Sequence, residues 1–337
     1  MDEPTLAGRA QLTMSFDMRA PAFGAPAPDL YRAALDQVRW ADQHGFDAIV
    51  VNEHHGSPDG YLPAPLVFGA AVAARTERIR IWISALVLPL HDPVAAAEEL
   101  AVLDLLSGGR VTLVVASGYR PAEFEMFGVD FGRRAALAAA GIRVLRQAWT
   151  GEPFEHAGRT VTVRPRPVQR PGIPIVLAGS SRGSALRAAR EADGYKPSRA
   201  ELVAVYLDEL RRLGRPAPLV PPSLAGEPAV FVSRDPAADW PLIAPHAVHD
   251  TTMYAAWTAA QPGISRHDAD ADPDTVRRGG NYPVLTPAQC LDRIRGGYGL
   301  HLKPLLGGLA PEVAWRSLRL IETDVLPYLS HSATEAR

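Results

Sequence analysis

The apolar run FDAIVV, starting at Phe46, is followed directly by Asn52, Glu53, His54 and His55. Three ionisable side chains crowded at the end of one strand-like segment suit acid–base chemistry. An imidazole exchanges protons near neutral pH, and an adjacent carboxylate can orient it. Metal ligation is the other chemistry these residue types allow. Side chains alternate along a strand, so His-x-His converges on one ion, whereas the adjacent His54 and His55 should face opposite sides. His91, in LPLHDP, offers a further imidazole, but no carboxylate or histidine set visibly completes a site, and no metal is expected. The plain alternative is that Glu53, His54 and His55 are loop residues satisfying local hydrogen bonds.

Two other segments end strands on residues suited to binding. In AGSSRGSALRAAREADG, from Ala178, Gly179, Ser180 and Ser181 stand before a helix. Free N–H groups and hydroxyls at the positive end of a helix can cradle a phosphate, although serine is also an ordinary N-cap. In ASGYRPAEFEMFGVD, from Ala116, the small residues Ser117 and Gly118 would let a flat ring or its side chain approach the backbone, with Tyr119 covering it. A tight turn that needs glycine explains the same residues. No Gly-x-Gly-x-x-Gly follows a strand, so a dinucleotide fold is not indicated.

The elements that would position these groups alternate regularly. Candidate strands are LTMSF from Leu12, FDAIVV from Phe46, IRIWISALVL from Ile79, VTLVVA from Val111, IPIVLA from Ile173, GYKPS from Gly194, AVFVS from Ala229 and GLHLKPL from Gly299. Several are apolar on both faces, as parallel strands covered by helices must be. Between them lie helical stretches: DLYRAALDQVRWADQHG, which stops at Gly45, and DPVAAAEELAVLDLLSGG, with Asp92 as N-cap and Pro93 in its first turn. Further helices are expected over Arg133–Thr150, Ser181–Ala192, Ala200–Leu213, Pro287–Gly296 and Pro311–Leu329. Eight such β/α units predict an α/β fold, a (β/α)8 TIM barrel, whose active site lies at the C-terminal strand ends.

Two segments interrupt the rhythm. Gly151–Gly172 predicts a hairpin and a proline-rich approach to the fifth strand. After the seventh strand, the stretch 235–287 carries Trp240, Tyr254, Trp257 and Tyr282 among Pro, Gly and Asp, and is expected to be an inserted lid. Its DADADPD run lacks the glycine and glutamate of a calcium loop, since Pro273 and Gly279 stand at those positions.

The 337 residues are 47% hydrophobic and carry 35 basic against 37 acidic side chains, without long like-charge blocks. Such a balance disfavours nucleic acid or an anionic membrane as partner and favours a small molecule. Cys290 is the sole cysteine, so no internal disulfide can form, and a reducing, cytoplasmic location is expected. The start, MDEPTLAGRAQ, has neither a basic nor an apolar export signal, and no stretch approaches the roughly 20 apolar residues of a membrane span.

Taken in order, HGFDAIVVNEHH, the block from ISALVLPLHDPV to EFEMFGVD, IPIVLAGSS with its helix, and GGLAPEVAWRSLRLIETDVLPYL resemble the bacterial luciferase-like flavin-dependent monooxygenases. The likeness spans nearly the whole chain as a single barrel domain, 1–337. It implies reduced FMN, or in a sister branch the reduced deazaflavin coenzyme F-420, at the C-terminal mouth. By position, His54 matches the family's active-site histidine, flanked by Glu53, which would orient it, and His55. Ser84 and Ala85 fall where a non-proline cis peptide lies beneath the flavin, and Gly179, Ser180 and Ser181 match the phosphate turn. Luciferase proper has an arginine at the position of Ser117, so the light reaction is not implied. Arg182, adjoining the turn, is the expected substitute cation, with Arg120 as second choice. The resemblance implies a two-component monooxygenase: a separate flavin reductase supplies FMNH2, and O2 oxygenates a small organic substrate. A homo-oligomer, a dimer, is expected. The alternatives are an F-420-dependent hydride-transfer oxidoreductase and a non-catalytic flavin-binding partner subunit.

Overall fold

The computed structural model describes residues 11–220, 227–259 and 270–329. In chain order the strands are β1 (Leu12–Phe16), β2 (Ala48–Val51), β3 (Arg80–Val87) and β4 (Val111–Ala116), a hairpin of β5 (Phe154–His156) and β6 (Arg159–Val161), then β7 (Ile175–Gly179), β8 (Gly194–Pro197), β9 (Ala229–Val232), the short β10 (Val284–Leu285) and β11 (Leu300–Leu302). Setting aside the hairpin and β10, these are the eight strands the sequence predicts. The helices are α1 (Ala27–Gln43), α2 (Pro65–Arg75), α3 (Pro93–Ser107), α4 (Pro121–Met126), α5 (Arg134–Ala148), α6 (Arg182–Glu191), α7 (Glu201–Arg212), α8 (Pro236–Thr258), α9 (Pro273–Gly279), α10 (Pro287–Arg295) and α11 (Pro311–Asp324).

The boundaries follow local chemistry. Asp92 caps α3 by accepting from the amides of Val94 and Ala95, and Gly108 ends the helix in the left-handed region at φ 66°. Four helices, α2, α4, α8 and α9, escape prediction. The run PLVFGAAVAAR of α2 is apolar almost throughout and offers no stripe to read. In α8, Pro241 and Pro245 lie inside the 23-residue helix, where proline normally signals a break.

The described residues fall into two compact units. One comprises residues 11–49, 227–256 and 270–329. Its strands pair in parallel in the order β10, β9, β11, β1, with Leu12 opposite Leu300 and His301 opposite Ala229. Phe231, Trp240, Ile243, Val276, Tyr282 and Leu306 build its core. The other comprises residues 50–220 and 257–259, with β3, β4, β7 and β8 paired in parallel. Every residue of β4 up to Val115 is buried, as a strand covered on both faces requires.

The insertion after β9 is thus largely helical. Trp240 and Tyr282, expected in a lid, are core residues of the first unit, each 5% exposed. Asp268 and Ala269 of the acidic run lie outside the described residues. Asp272, further along that run, caps α9 through the amide of Thr275. Among the described residues no helix is long and apolar enough to cross a membrane.

Candidate active site

The ends of β2, β3 and β4 in the second unit bring the ionisable residues together. Because side chains alternate beyond β2, Glu53 and His54 face different partners. His54 Nδ1 lies 2.8 Å from Oε1 of Glu123 on α4, and its Nε2 lies 3.0 Å from the hydroxyl of Tyr119. The same Glu123 oxygen accepts from the His55 amide at 2.9 Å and from Arg120 Nη1 at 2.8 Å. Glu123 is 1% exposed, and its Oε2 has no hydrogen-bond partner among the described residues. Burial alone would raise the Glu123 pKa; the hydrogen bond and charge of His54, the His55 amide and Arg120 reverse this and lower it.

With Glu123 ionised, His54 must carry a proton on Nδ1. Its Nε2 is then the acceptor for the Tyr119 hydroxyl when the ring is neutral. The result is a carboxylate–imidazole–phenol chain, buried at Glu123 and His54 and half-buried at Tyr119. Aromatic rings surround it: Tyr61 at 4.9 Å and Trp257, from the end of α8, at 4.6 Å from the His54 ring. The Arg120 guanidinium lies 4.1 Å over the Trp257 ring. Of the four aromatics expected in a lid, only Trp257 is among these contacts.

Glu53 holds a separate set. Its Oε1 lies 2.8 Å from His55 Nε2 and 2.7 Å from His91 Nε2, while Oε2 accepts from the Val87 amide at 2.5 Å. Burial would raise the Glu53 pKa, but the hydrogen bonds from His55 and His91, the charge of His91 and the Val87 amide bring it down to about 2. Burial lowers the His91 pKa, and the Glu53 carboxylate more than compensates, so the net shift is upward. Two expectations are corrected here. Glu53 does not orient His54; Glu123 does. A carboxylate does complete a set with His55 and His91, because the turn after β3 returns His91 to the end of β2.

At the end of β4, Gly118 adopts φ +77°, and a Cβ there would stand 2.6 Å from the Phe124 ring and 2.9 Å from Val87. The residue must be glycine for packing within the chain. Ser117 lines a small cavity with Ala178 and Arg187. Ser84–Ala85 is a cis peptide, as the resemblance implies.

At the start of α6, Ser181 accepts from the Ser184 amide while the Ser184 hydroxyl accepts from the Ser181 amide, a reciprocal capping box. A Cβ on Gly179 would lie 2.3 Å from Ser184, so this glycine too serves close packing. The amides of Arg182 and Gly183 make no hydrogen bond to the described residues. Arg182 is exposed, and Arg120 is committed to Glu123 and Trp257. The cation that reaches back to this turn is one the sequence reading missed: Arg187, whose Nη1 lies 3.6 Å from where a Gly183 Cβ would stand. Its position four residues after Gly183 puts it on the same helix face, a signal available in the sequence. Arg199 also approaches, donating to the Ser180 carbonyl at 3.2 Å.

These features define an α/β protein of the (β/α)8 TIM-barrel class with a histidine-centred site at its strand ends. Residues 14–300 match the family described as luciferase-like monooxygenase, and the chain belongs to it. Among its relatives, the FMNH(2)-dependent dimethylsulfone monooxygenase of Pseudomonas putida is 29% identical over 191 residues, 54% of this chain and 49% of that protein. The F420-dependent glucose-6-phosphate dehydrogenase of Nocardia farcinica is 30% identical over 210 residues, 59% of this chain and 61% of that one. Matches to curated relatives span roughly half of their length, for example 47%, 43% and 48%. The crystal structure of the monooxygenase RslO1 from Streptomyces bottropensis superposes with a TM-score of 0.77 at 22% identity, over 94% of this chain and 99% of that one.

Proposed function

We propose that the protein is the oxygenase component of a two-component flavin-dependent monooxygenase, using FMNH2 from a separate reductase and O2 to oxygenate a small organic substrate. The observation that carries this reading is the hydrogen-bonded Glu123–His54–Tyr119 chain at the strand ends, in a protein of the luciferase-like family. The residues present suit a flavin phosphate. The open amides of Arg182 and Gly183 at the start of α6, the Ser180 hydroxyl and Arg187 together offer neutral donors and a charge to a dianion. Reduced FMN, when bound, supplies oxygen activation and transfer.

The protein's part is to hold and move protons and to exclude water. Glu123 fixes the His54 tautomer and stabilises the imidazolium once His54 takes a proton. Tyr119 passes its proton to His54 Nε2 or recovers it, so its phenol oxygen is the exchanging atom of the chain. Tyr61 and Trp257 keep bulk water from the imidazole, and Arg120, stacked on Trp257, holds that indole in place. Through Trp257 the insertion retains a covering role.

A second reading, hydride transfer with coenzyme F-420, is favoured by the Nocardia relative. Anaerobic titration of the tryptophan fluorescence with reduced FMN and reduced F-420 side by side separates the two. Tighter quenching by reduced FMN supports the monooxygenase, tighter quenching by F-420 the alternative. Retention of the histidine chain opposes the third possibility, a non-catalytic partner subunit. That reading gains ground only if neither cofactor supports turnover.

A further inference from the structure

Glu53, His55 and His91 lie outside the proton chain just described. Both Nε2 atoms are held against the same carboxylate oxygen, at 2.8 and 2.7 Å, and the three ligand-type atoms lie within 4.8 Å of one another. A carboxylate needing only two hydrogen bonds could place one on each oxygen. Here the Val87 amide takes Oε2 at 2.5 Å, and Oε1 is presented to both rings. Outer hydrogen bonds of this kind orient carboxylates that bind metals. Glu53 and His55 are buried, and the His91 side chain is 23% exposed, which leaves a way in from one side.

We propose that Glu53, His55 and His91 form a binding site for a divalent transition-metal cation of the zinc type, independent of the flavin chemistry. Two imidazoles and one carboxylate suit such ions, whereas calcium and magnesium call for six or more oxygens. Ligands about 2.0–2.2 Å from a tetrahedral ion stand roughly 3.3 Å apart, so each Nε2 must draw back from Oε1 by about 0.5 Å while the two Nε2 atoms, now within 4.8 Å of each other, settle at a similar spacing. Each ring must present a deprotonated Nε2, with any remaining proton on Nδ1. Water fills the fourth position on the His91 side. Occupancy would tie the end of β2 to the turn after β3.

The test uses the full chain stripped with a chelator and dialysed against micromolar Zn2+, followed by metal analysis. Co2+ loading gives a second readout through the absorption bands of a tetrahedral site. One equivalent per chain is expected, with Zn2+ raising the melting temperature. His91→Ala, altering the most exposed of the three ligands, should weaken binding by about a hundredfold and abolish the thermal shift. Glu53→Gln should do the same. His54→Ala, which removes an imidazole that is no ligand, should bind as wild type. Absence of stoichiometric uptake, or equal uptake by a folded His91→Ala, would overturn the proposal and leave the three residues as a hydrogen-bonded network only.

Discussion

His54 and His55 are neighbours in sequence, yet their rings belong to different carboxylates, and this division sets unequal expectations for them. His54→Ala should leave the fold and flavin binding intact and lower turnover about a hundredfold or more on the best substrate of a panel, the usual worth of a positioned acid or base. His55→Ala should cost less turnover; the reverse ranking would move the proton chemistry to the Glu53 set. Glu123 makes a prediction about pH. Its pKa is lowered in the folded chain, so its stabilisation is present in full above the unfolded value of about 4.3 and is lost as pH falls through the folded value. Urea unfolding of wild type and Glu123→Gln should therefore differ most near neutrality and converge in acid. A gap that widens towards low pH would contradict the assignment.

At the level of elements, α6 and the first unit's charge cluster each carry a test. The start of α6 brings open amides and Arg187 to one turn, so Arg187→Ala should weaken reduced FMN by about tenfold or more, the value of one charge-assisted hydrogen bond. Riboflavin, which has no phosphate, should bind nearly as before. Arg182→Ala should have the smaller effect, and equal losses for FMN and riboflavin would assign Arg187 to folding or ring contacts. In the first unit, Asp17 and Arg19 follow β1, Lys303 follows β11 and Asp250 lies on α8. Lys303 Nζ stands 2.7 Å from Asp17 and 3.0 Å from Asp250, and Arg19 Nε stands 3.0 Å from Asp250. All four side chains are buried and Tyr282 donates to Asp250 at 2.8 Å. Burial opposes charge on Asp250, but Lys303 and Arg19 prevail and lower its pKa. Removing one member strands buried charge, so Asp250→Ala should destabilise by about 3–5 kcal/mol, as measured by denaturant unfolding. A change within about 0.5 kcal/mol would show that the cluster relaxes or admits water.

For the molecule as a whole, the proposed two-component chemistry predicts a protein that carries no flavin through gel filtration and binds reduced FMN more tightly than oxidised FMN. Absorbance of the purified chain decides this. A firmly held yellow flavin reduced directly by NADH would indicate a self-sufficient flavoenzyme. The composition fits the reading: near-balanced charge offers no field for a polyanion, and the single buried Cys290 adds no redox chemistry, its thiol pKa pushed up to about 12 by burial.

Much of this was legible along the chain. Apolar runs buried on both faces announce themselves by composition, and caps such as Asp92 by residue type, so the eight strands and α1, α3, α5, α6, α7, α10 and α11 could be read in advance. The ionisable cluster at the end of β2 stood out for the same reason: polar side chains rarely close so apolar a run without a task. The partners of these residues were beyond local reading. Glu123 meets His54 across 69 positions and His91 meets Glu53 across 38, and neither pairing leaves a periodic trace. The prolines of α8 pointed to a loop, and its aromatics to a lid. The folded chain instead keeps the helix, buries Trp240 in the core and brings Trp257 to His54. Local sequence determines which residues can form strands, caps and turns, because those preferences act over a few bonds. Which carboxylate takes which histidine is decided only when packing brings distant segments within hydrogen-bond range.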